Sequence, residues 1–184
     1  NNPNPFFGAL RARYDLNLVK KDGALLNKSG TFYILPGQTR YLIITGIRSD
    51  DGLSDVILKI MEVEWQKVEV FENINFPIQR KNYSVLNKNG TFSELEAVVL
   101  NNSDFNFDKV EAGVVLFNDA GGIVGVNRTD VRTFISRTER GLKVSWPVEL
   151  PAVARQDIEV LTNVFENSNF IKRYGTQEKF QKYY

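Results

Sequence analysis

The residues able to do chemistry in this sequence are carboxylates and lysines, because the chain contains neither Cys nor His. Their absence excludes disulfides, thiol nucleophiles, the usual zinc and copper sites, and haem ligation by His or Cys. It also excludes Ser-His-Asp arrays and any imidazole base at neutral pH. Acid–base chemistry would have to use Asp, Glu or Lys. These groups keep an enzyme open as a third alternative, and we predict a non-catalytic protein that carries no cofactor.

Two groups of acidic residues are the candidates for a metal site or for paired-carboxylate catalysis. Asp50, Asp51 and Asp55 fall in one loop between predicted strands, but their spacing fits no standard calcium loop and suits solvated turn residues. Asp104 and Asp108 lie in another loop, and nothing near them indicates the raised carboxyl pKa that glycoside hydrolysis needs. We therefore assign no catalytic, cofactor-binding or metal-binding residue.

Three further features have simple structural explanations. The run Gly121–Gly125 resembles a phosphate loop, but β-branched residues follow it where a nucleotide site needs a helix, so we predict a hairpin turn. The C-terminal stretch from Phe170 to Tyr184 mixes basic and aromatic residues that would suit an anionic glycan, a lipid surface or single-stranded nucleic acid, although a frayed terminus explains it more simply. Asn-x-Ser/Thr sequons, which suit turns in their own right, occur at Asn27, Asn82, Asn89, Asn101 and Asn127.

Aromatic side chains offer one alternative function. Tyr14, Tyr33, Trp65 and Trp146 would form a sugar-binding face if they were exposed, although in β-sandwiches such residues more often belong to a core or an interface. We keep a carbohydrate-binding module as the alternative to a scaffold or interaction module. A net charge of +1 gives no global field that would attract nucleic acid.

The elements that must position these residues are β-strands. Val, Ile and Thr supply 40 of the 184 residues and Ala only 8, and β-branched side chains suit a pleated sheet. Apolar and polar residues alternate from Leu10 to Leu18, the period of a strand with one buried face. Lys21-Asp22-Gly23 then predicts a hairpin turn. Further strands are predicted at Thr31–Leu35, Arg40–Ile47, Val56–Val63, Ile78–Leu86, Leu95–Leu100, Lys109–Phe117, Ile123–Val126, Val131–Ile135, Gly141–Val148 and Asp157–Phe165.

The sequence also repeats weakly with a period of roughly 100 residues. The aligned identities are Asn1-Asn2 with Asn101-Asn102, Ala12 with Ala112, Leu16 with Leu116, Gly23 with Gly122, Arg40 with Arg140, Leu42 with Leu142 and Asp55 with Asp157. Inward-facing residues of the first copy align with inward-facing residues of the second, whereas a one-residue slip would turn every side chain to the other face of its sheet. We predict an all-β chain of two related, tandem β-sandwich domains, 1–72 and 78–167, with a linker at 73–77 and a tail at 168–184.

The two predicted domains are unequal. Two strands, Ile78–Leu86 and Leu95–Leu100, precede Asn101 in the second domain, and the first domain has no counterpart of them before Asn1. We expect the natural chain to continue upstream and supply these strands. The alternative is that a partner supplies a strand by β-augmentation.

Val115–Gly125 resembles the bacterial immunoglobulin-like family named for its F-x-L-Y-D signature, in which a strand ends in Leu-Tyr-Asp before a glycine turn and an apolar strand. Here Phe117 takes the tyrosine position and Asn118 precedes Asp119. The opening Asn1–Pro5 is similar to the loop between the second and third strands of such domains. The resemblance covers most of 1–174 and supplies no catalytic residue. It implies that the two sandwich domains are tandem immunoglobulin-like domains, the first lacking its opening strands, in a bacterial cell-surface ectodomain held by a membrane helix upstream of Asn1. We therefore expect an extracytoplasmic scaffold or interaction module with an unknown envelope partner.

Overall fold

The structure is a computed structural model that describes residues 1–47, 52–68, 74–88 and 90–171. These residues form nine strands and one 3-10 turn, which confirms the predicted all-β class. The strands are β1 Phe7–Lys20, β2 Leu25–Ile34, β3 Leu53–Lys67, β4 Ile78–Lys88, β5 Thr91–Leu100, β6 Phe107–Phe117, β7 Ile123–Phe134, β8 Glu139–Trp146 and β9 Arg155–Leu161, and the turn is Asn167–Asn169. The chain divides into two compact units, Asn1–Phe71 and Glu72–Tyr184.

The first unit contains one antiparallel sheet in the order β2-β1-β3. Its central strand alternates as its sequence predicts, so that Tyr14, Leu16 and Leu18 are buried on one face. The predicted hairpin turn after Lys20 is present, and Gly23 adopts a φ of +84° there, a conformation that L side chains rarely take.

The second unit contains two antiparallel sheets, β4-β5-β8 and β7-β6-β9. Leu95 and Val99 from one sheet and Phe107 and Leu116 from the other are fully buried in a single core. Two sheets whose inner faces share one core are consistent with a β-sandwich.

Some predicted strands differ from the observed ones. Residues 40–47, predicted as a strand, carry none among the described residues, because no neighbouring strand supplies the hydrogen bonds. The two strands predicted around Val126 and Val131 form the single strand β7, and the last predicted strand ends at Leu161 instead of Phe165. Local alternation found the extended segments, but pairing decided which of them became strands.

Candidate functional site: the open face of the first unit

In each unit a buried asparagine links the two ends of one hairpin, which is β1–β2 in the first unit and β6–β7 in the second. Asn2 is 3% exposed, and its Nδ2 donates to the carbonyls of Phe7 at 2.7 Å and Leu35 at 2.9 Å. Asn101 is 0% exposed, and its Nδ2 donates to Phe105 O at 2.8 Å and Phe134 O at 3.1 Å. The equivalence corrects the sequence alignment by one residue, because Asn2, and not Asn1, matches Asn101.

The chain then turns in the same way in both units. Gln38 N donates to Leu35 O at 3.3 Å, and Thr138 N donates to Ile135 O at 3.3 Å. The residues before these two donors, at positions 37 and 137, have φ values of +64° and +58°. Because both hairpins end in the same turn, the segment that follows runs in the same direction relative to its hairpin in each unit.

An arginine fixes that following segment in each unit. Arg40 Nη1 donates to Tyr33 O at 2.7 Å, and Arg140 Nη2 donates to Thr133 O at 3.1 Å. In the second unit the segment is β8, which pairs with β5. In the first unit it is residues 40–47, and the part of that unit the structure describes has no strand beside them. Residues 40–47 therefore follow the hairpin as β8 does, but they form no strand among the described residues.

In the described part of the first unit, the core side of the sheet is consequently exposed along β3. Cross-strand partners share a face, and four apolar residues of β3 lie opposite buried residues of β1: Val56 opposite Leu18, Leu58 opposite Leu16, Ile60 opposite Tyr14 and Trp65 opposite Ala9. These β3 side chains point to the core side, yet they are 54%, 49%, 47% and 55% exposed, respectively. We call Val56, Leu58, Ile60 and Trp65 the open face.

The corresponding side of the second unit is covered. In β9, Ile158 lies opposite Val114 and Val160 lies opposite Ala112. Both β9 side chains are half-buried and pack against the core that β5 and β8 help to form. The open face is therefore a place where a second sheet can bind, and within the described ranges β3 is also an edge strand, a position that favours strand addition.

The acidic residues considered above do not assemble a site in the described part of the chain. Asp50 and Asp51 lie outside the described residues, and Asp55 Oδ1 accepts a hydrogen bond from Val56 N at 2.8 Å. Asp104 pairs with Arg137 at 2.9 Å and Asp108 pairs with Arg132 at 3.1 Å, in two exposed ion pairs. No three acidic side chains among the described residues are placed to hold a metal ion.

The aromatic residues and the glycine run are also placed by the structure. Tyr14, Tyr33 and Trp146 are buried and cannot stack on a sugar, whereas Trp65 belongs to the open face. The glycine run closes the β6–β7 hairpin as predicted, with Asn118 N donating to Gly122 O at 2.9 Å.

Two predictions concern residues that the structure describes only in part. The predicted tail begins at 168, yet Asn169 and Phe170 are buried in the second unit. Residues 172–184 lie outside the described part, as does the sequon residue Asn89. The sequon residue Asn101 is buried, so its carboxamide is not available for glycosylation.

Comparisons with protein-family models, curated proteins and solved structures find no match to this chain. Within the described ranges, no helix has the length and apolar character needed to cross a membrane.

Proposed function

We propose that this chain is a non-catalytic scaffold or interaction module of a bacterial cell-envelope protein, built from two tandem immunoglobulin-like sandwich domains. One observation carries the proposal: the same hairpin, buried asparagine and arginine-fixed turn occur twice along one chain. Repeating one β unit lengthens a chain and multiplies its outer surface, which serves spacing and binding. The location outside the cytoplasm, with a membrane helix upstream of Asn1, rests on the resemblance of Val115–Gly125 to the F-x-L-Y-D family.

The use of charged residues agrees with a structural role. Lys143 contacts Glu94 at 3.0 Å and Glu96 at 2.9 Å across the β5–β8 pair. Hydrogen bonds to Glu96 and Glu94 raise the pKa of Lys143 above its ordinary value of 10.5. A lysine that acts as a general base needs a pKa lowered toward neutrality. The shift therefore goes in the direction expected for a surface ion pair.

The proposal is tested in the bacterium that makes the protein. Protease added to intact cells should degrade the protein while a cytoplasmic marker stays intact. A photo-crosslinking amino acid at Ile123 or Val148, both exposed in the second unit, should give discrete adducts with envelope components. Protection from protease until the cells are lysed would contradict the proposed location. Turnover of a substrate that is lost in Asp104→Asn or Asp108→Asn would replace the proposal with an enzyme.

A carbohydrate-binding module remains the second candidate, and the exposure of Trp65 is the observation that favours it. A glycan array compares the unchanged chain with Trp65→Ala and with Leu25→Ala, which alters another exposed apolar residue of the same unit. Binding that disappears in Trp65→Ala alone would establish this alternative. Absence of glycan binding by the unchanged chain leaves the scaffold proposal in place.

A further inference from the structure

We propose that β3 pairs edge to edge with β3 of a second copy of this chain, so that two first units share one continuous antiparallel sheet. The two-fold axis of this dimer passes beside Ile57, and the pairing extends at least from Asp55 to Lys59. A second copy is the partner because this stretch of β3 is complementary to itself in charge. The exposure, the register and the order of charges of β3 support the pairing.

The exposed apolar residues of β3 lie on both of its faces. Val56, Leu58 and Ile60 belong to the open face, whereas Ile57 and Met61, which are 41% and 55% exposed, follow the alternation onto the other face. A sheet stacked on the open face would leave Ile57 and Met61 in water. A strand added at the edge places side chains beside both faces of β3, because its own side chains alternate. The exposure of β3 therefore favours edge pairing.

One stretch of β3 is regular enough to accept another strand. Within the described ranges β3 is an edge strand, in a sheet of order β2-β1-β3. From Asp55 to Ile60 its register with β1 is unbroken, and it shifts only between Ile60 and Val63. Bulges disrupt pairing, so the unbroken stretch is the part of this edge best suited to strand addition.

Two-fold symmetry limits the registers that two β3 strands can adopt. Residues directly opposite each other must share a face, so each residue faces one that lies an even number of positions away in the other copy. The axis consequently passes beside one residue of each strand. The choice of that residue decides which charges meet.

The charges of the unbroken stretch select the axis. Asp55 and Lys59 are its charged residues, and they lie on one face, four positions apart. An axis beside Ile57 brings Asp55 of each copy opposite Lys59 of the other. A lysine on an edge strand ordinarily discourages pairing, but here it comes to lie between two carboxylates, Asp15 of its own β1 and Asp55 of the second copy.

The same register matches the apolar residues. Ile57 of one copy lies opposite Ile57 of the other, and on the open face Val56 lies opposite Leu58. Apolar pairs of this kind stabilise an antiparallel sheet. An axis beside Lys59 would instead place two lysines directly opposite each other, which is destabilising. The self-complementary register is therefore the one centred on Ile57.

A single cysteine at the axis tests the pairing in the full chain, which contains no other Cys. Ile57→Cys places two thiols opposite each other, so mild oxidation should give a disulfide-linked dimer. Met61→Cys is the matched control, an exposed position on the same strand and four residues from the axis. Its two thiols should be about 26 Å apart, too far to bond. Equal linkage of the two variants would reflect random collision and would overturn the pairing.

Ile60→Cys separates edge pairing from stacking of two open faces. In the edge-paired dimer its two thiols should be about 20 Å apart and remain unlinked. Linkage through Ile60→Cys without linkage through Ile57→Cys would overturn the edge pairing and show that two open faces stack instead.

Exchange of the two charges tests the register. Asp55→Lys puts lysines opposite each other, Lys59→Asp puts aspartates opposite each other, and each should raise the dissociation constant of its dimer by about tenfold or more in sedimentation equilibrium. A one-to-one mixture should dimerise as tightly as the unchanged chain, because each lysine then faces an aspartate. Asp22→Lys makes the same charge change in an exposed turn of the same unit and should leave dimerisation unaffected.

Circular dichroism shows whether each charge variant is folded, and the cysteine variants, which keep both charges, decide the matter if one is not. Two further results would overturn the proposal. One is an unchanged chain that sediments as a monomer from about 1 µM to about 1 mM, concentrations that would populate a dimer of micromolar affinity. The other is a mixture of folded Asp55→Lys and Lys59→Asp that associates no more than either variant alone.

Discussion

Replacement of Asn101 by Ala tests the buried carboxamide that both units share. Its Nδ2 donates to Phe105 O at 2.8 Å and to Phe134 O at 3.1 Å, and its Oδ1 accepts from Ser103 Oγ at 2.7 Å. The bond to Phe134 O joins residues 33 positions apart. Asn101→Ala removes these bonds at a site that is fully buried.

The expected loss of stability in Asn101→Ala follows from the groups that lose their hydrogen-bond partners. A buried carbonyl left without a donor costs roughly 1 to 3 kcal/mol, and two carbonyls are affected. Ser103 Oγ lies 3.5 Å from Phe105 O and relieves part of that loss. We expect the second unit to lose about 3 kcal/mol, which lowers its Tm by about 12 °C for a domain of this size. Asn101→Asp fills the same space but removes both donors, so it should lose at least as much.

Trp146 fluorescence in a Trp65→Phe background follows unfolding of the second unit, since Trp146 is buried there. The matched control is Asn82→Ala, an exposed asparagine in β4, which should change stability by less than about 0.5 kcal/mol. An Asn101→Ala variant as stable as Asn82→Ala would refute the structural role of this side chain.

Three further predictions concern the sheets. In Gly30→Ala the new Cβ would lie 2.6 Å from Tyr14 Oη, so the free energy of unfolding of the first unit should fall by about 1 to 3 kcal/mol. Denaturant unfolding should show that most of this loss disappears when Tyr14→Leu is combined with it. Leu16→Ala, at a buried position, should lower the stability of the first unit by about 2 to 4 kcal/mol, whereas Leu58→Ala, at the residue opposite it in β3, should lower it by less than about 1 kcal/mol. Equal losses would mean that the open face is covered. The raised pKa of Lys143 contributes stability that is fully present below its unfolded value and is lost only as the pH rises through its folded value. Lys143→Met should therefore leave the pH dependence of the Tm unchanged between about pH 6 and 9, where neither lysines nor carboxylates ordinarily titrate.

Local patterns made the strands predictable from sequence. The alternation from Leu10 to Leu18 identifies β1 and its buried face, and Lys21-Asp22-Gly23 identifies the turn after it. Both signals depend on residues close in sequence. The run of apolar residues between Arg40 and Ile47 predicted a strand wrongly, because a strand also needs a hydrogen-bonded neighbour that local sequence does not reveal.

The open face was not predictable in the same way. Alternation shows that Val56, Leu58 and Ile60 share a side, but it does not show whether another sheet covers that side. The role of Asn101 was hidden for a related reason, since its acceptor Phe134 O is brought near it only by the β6–β7 hairpin. The aligned asparagines before the β1–β2 and β6–β7 hairpins were the one available signal, and the sequence alignment matched them one residue out of step.

Amide hydrogen exchange tests most directly whether the segment that follows the hairpin of the first unit differs from β8. In the dilute chain of 184 residues, we predict slow exchange across β8, which is paired with β5, and faster exchange across residues 42–47, which form no strand in the described structure. Equal protection of the two segments would contradict the open face, because it would require a strand to be bonded to the first unit already.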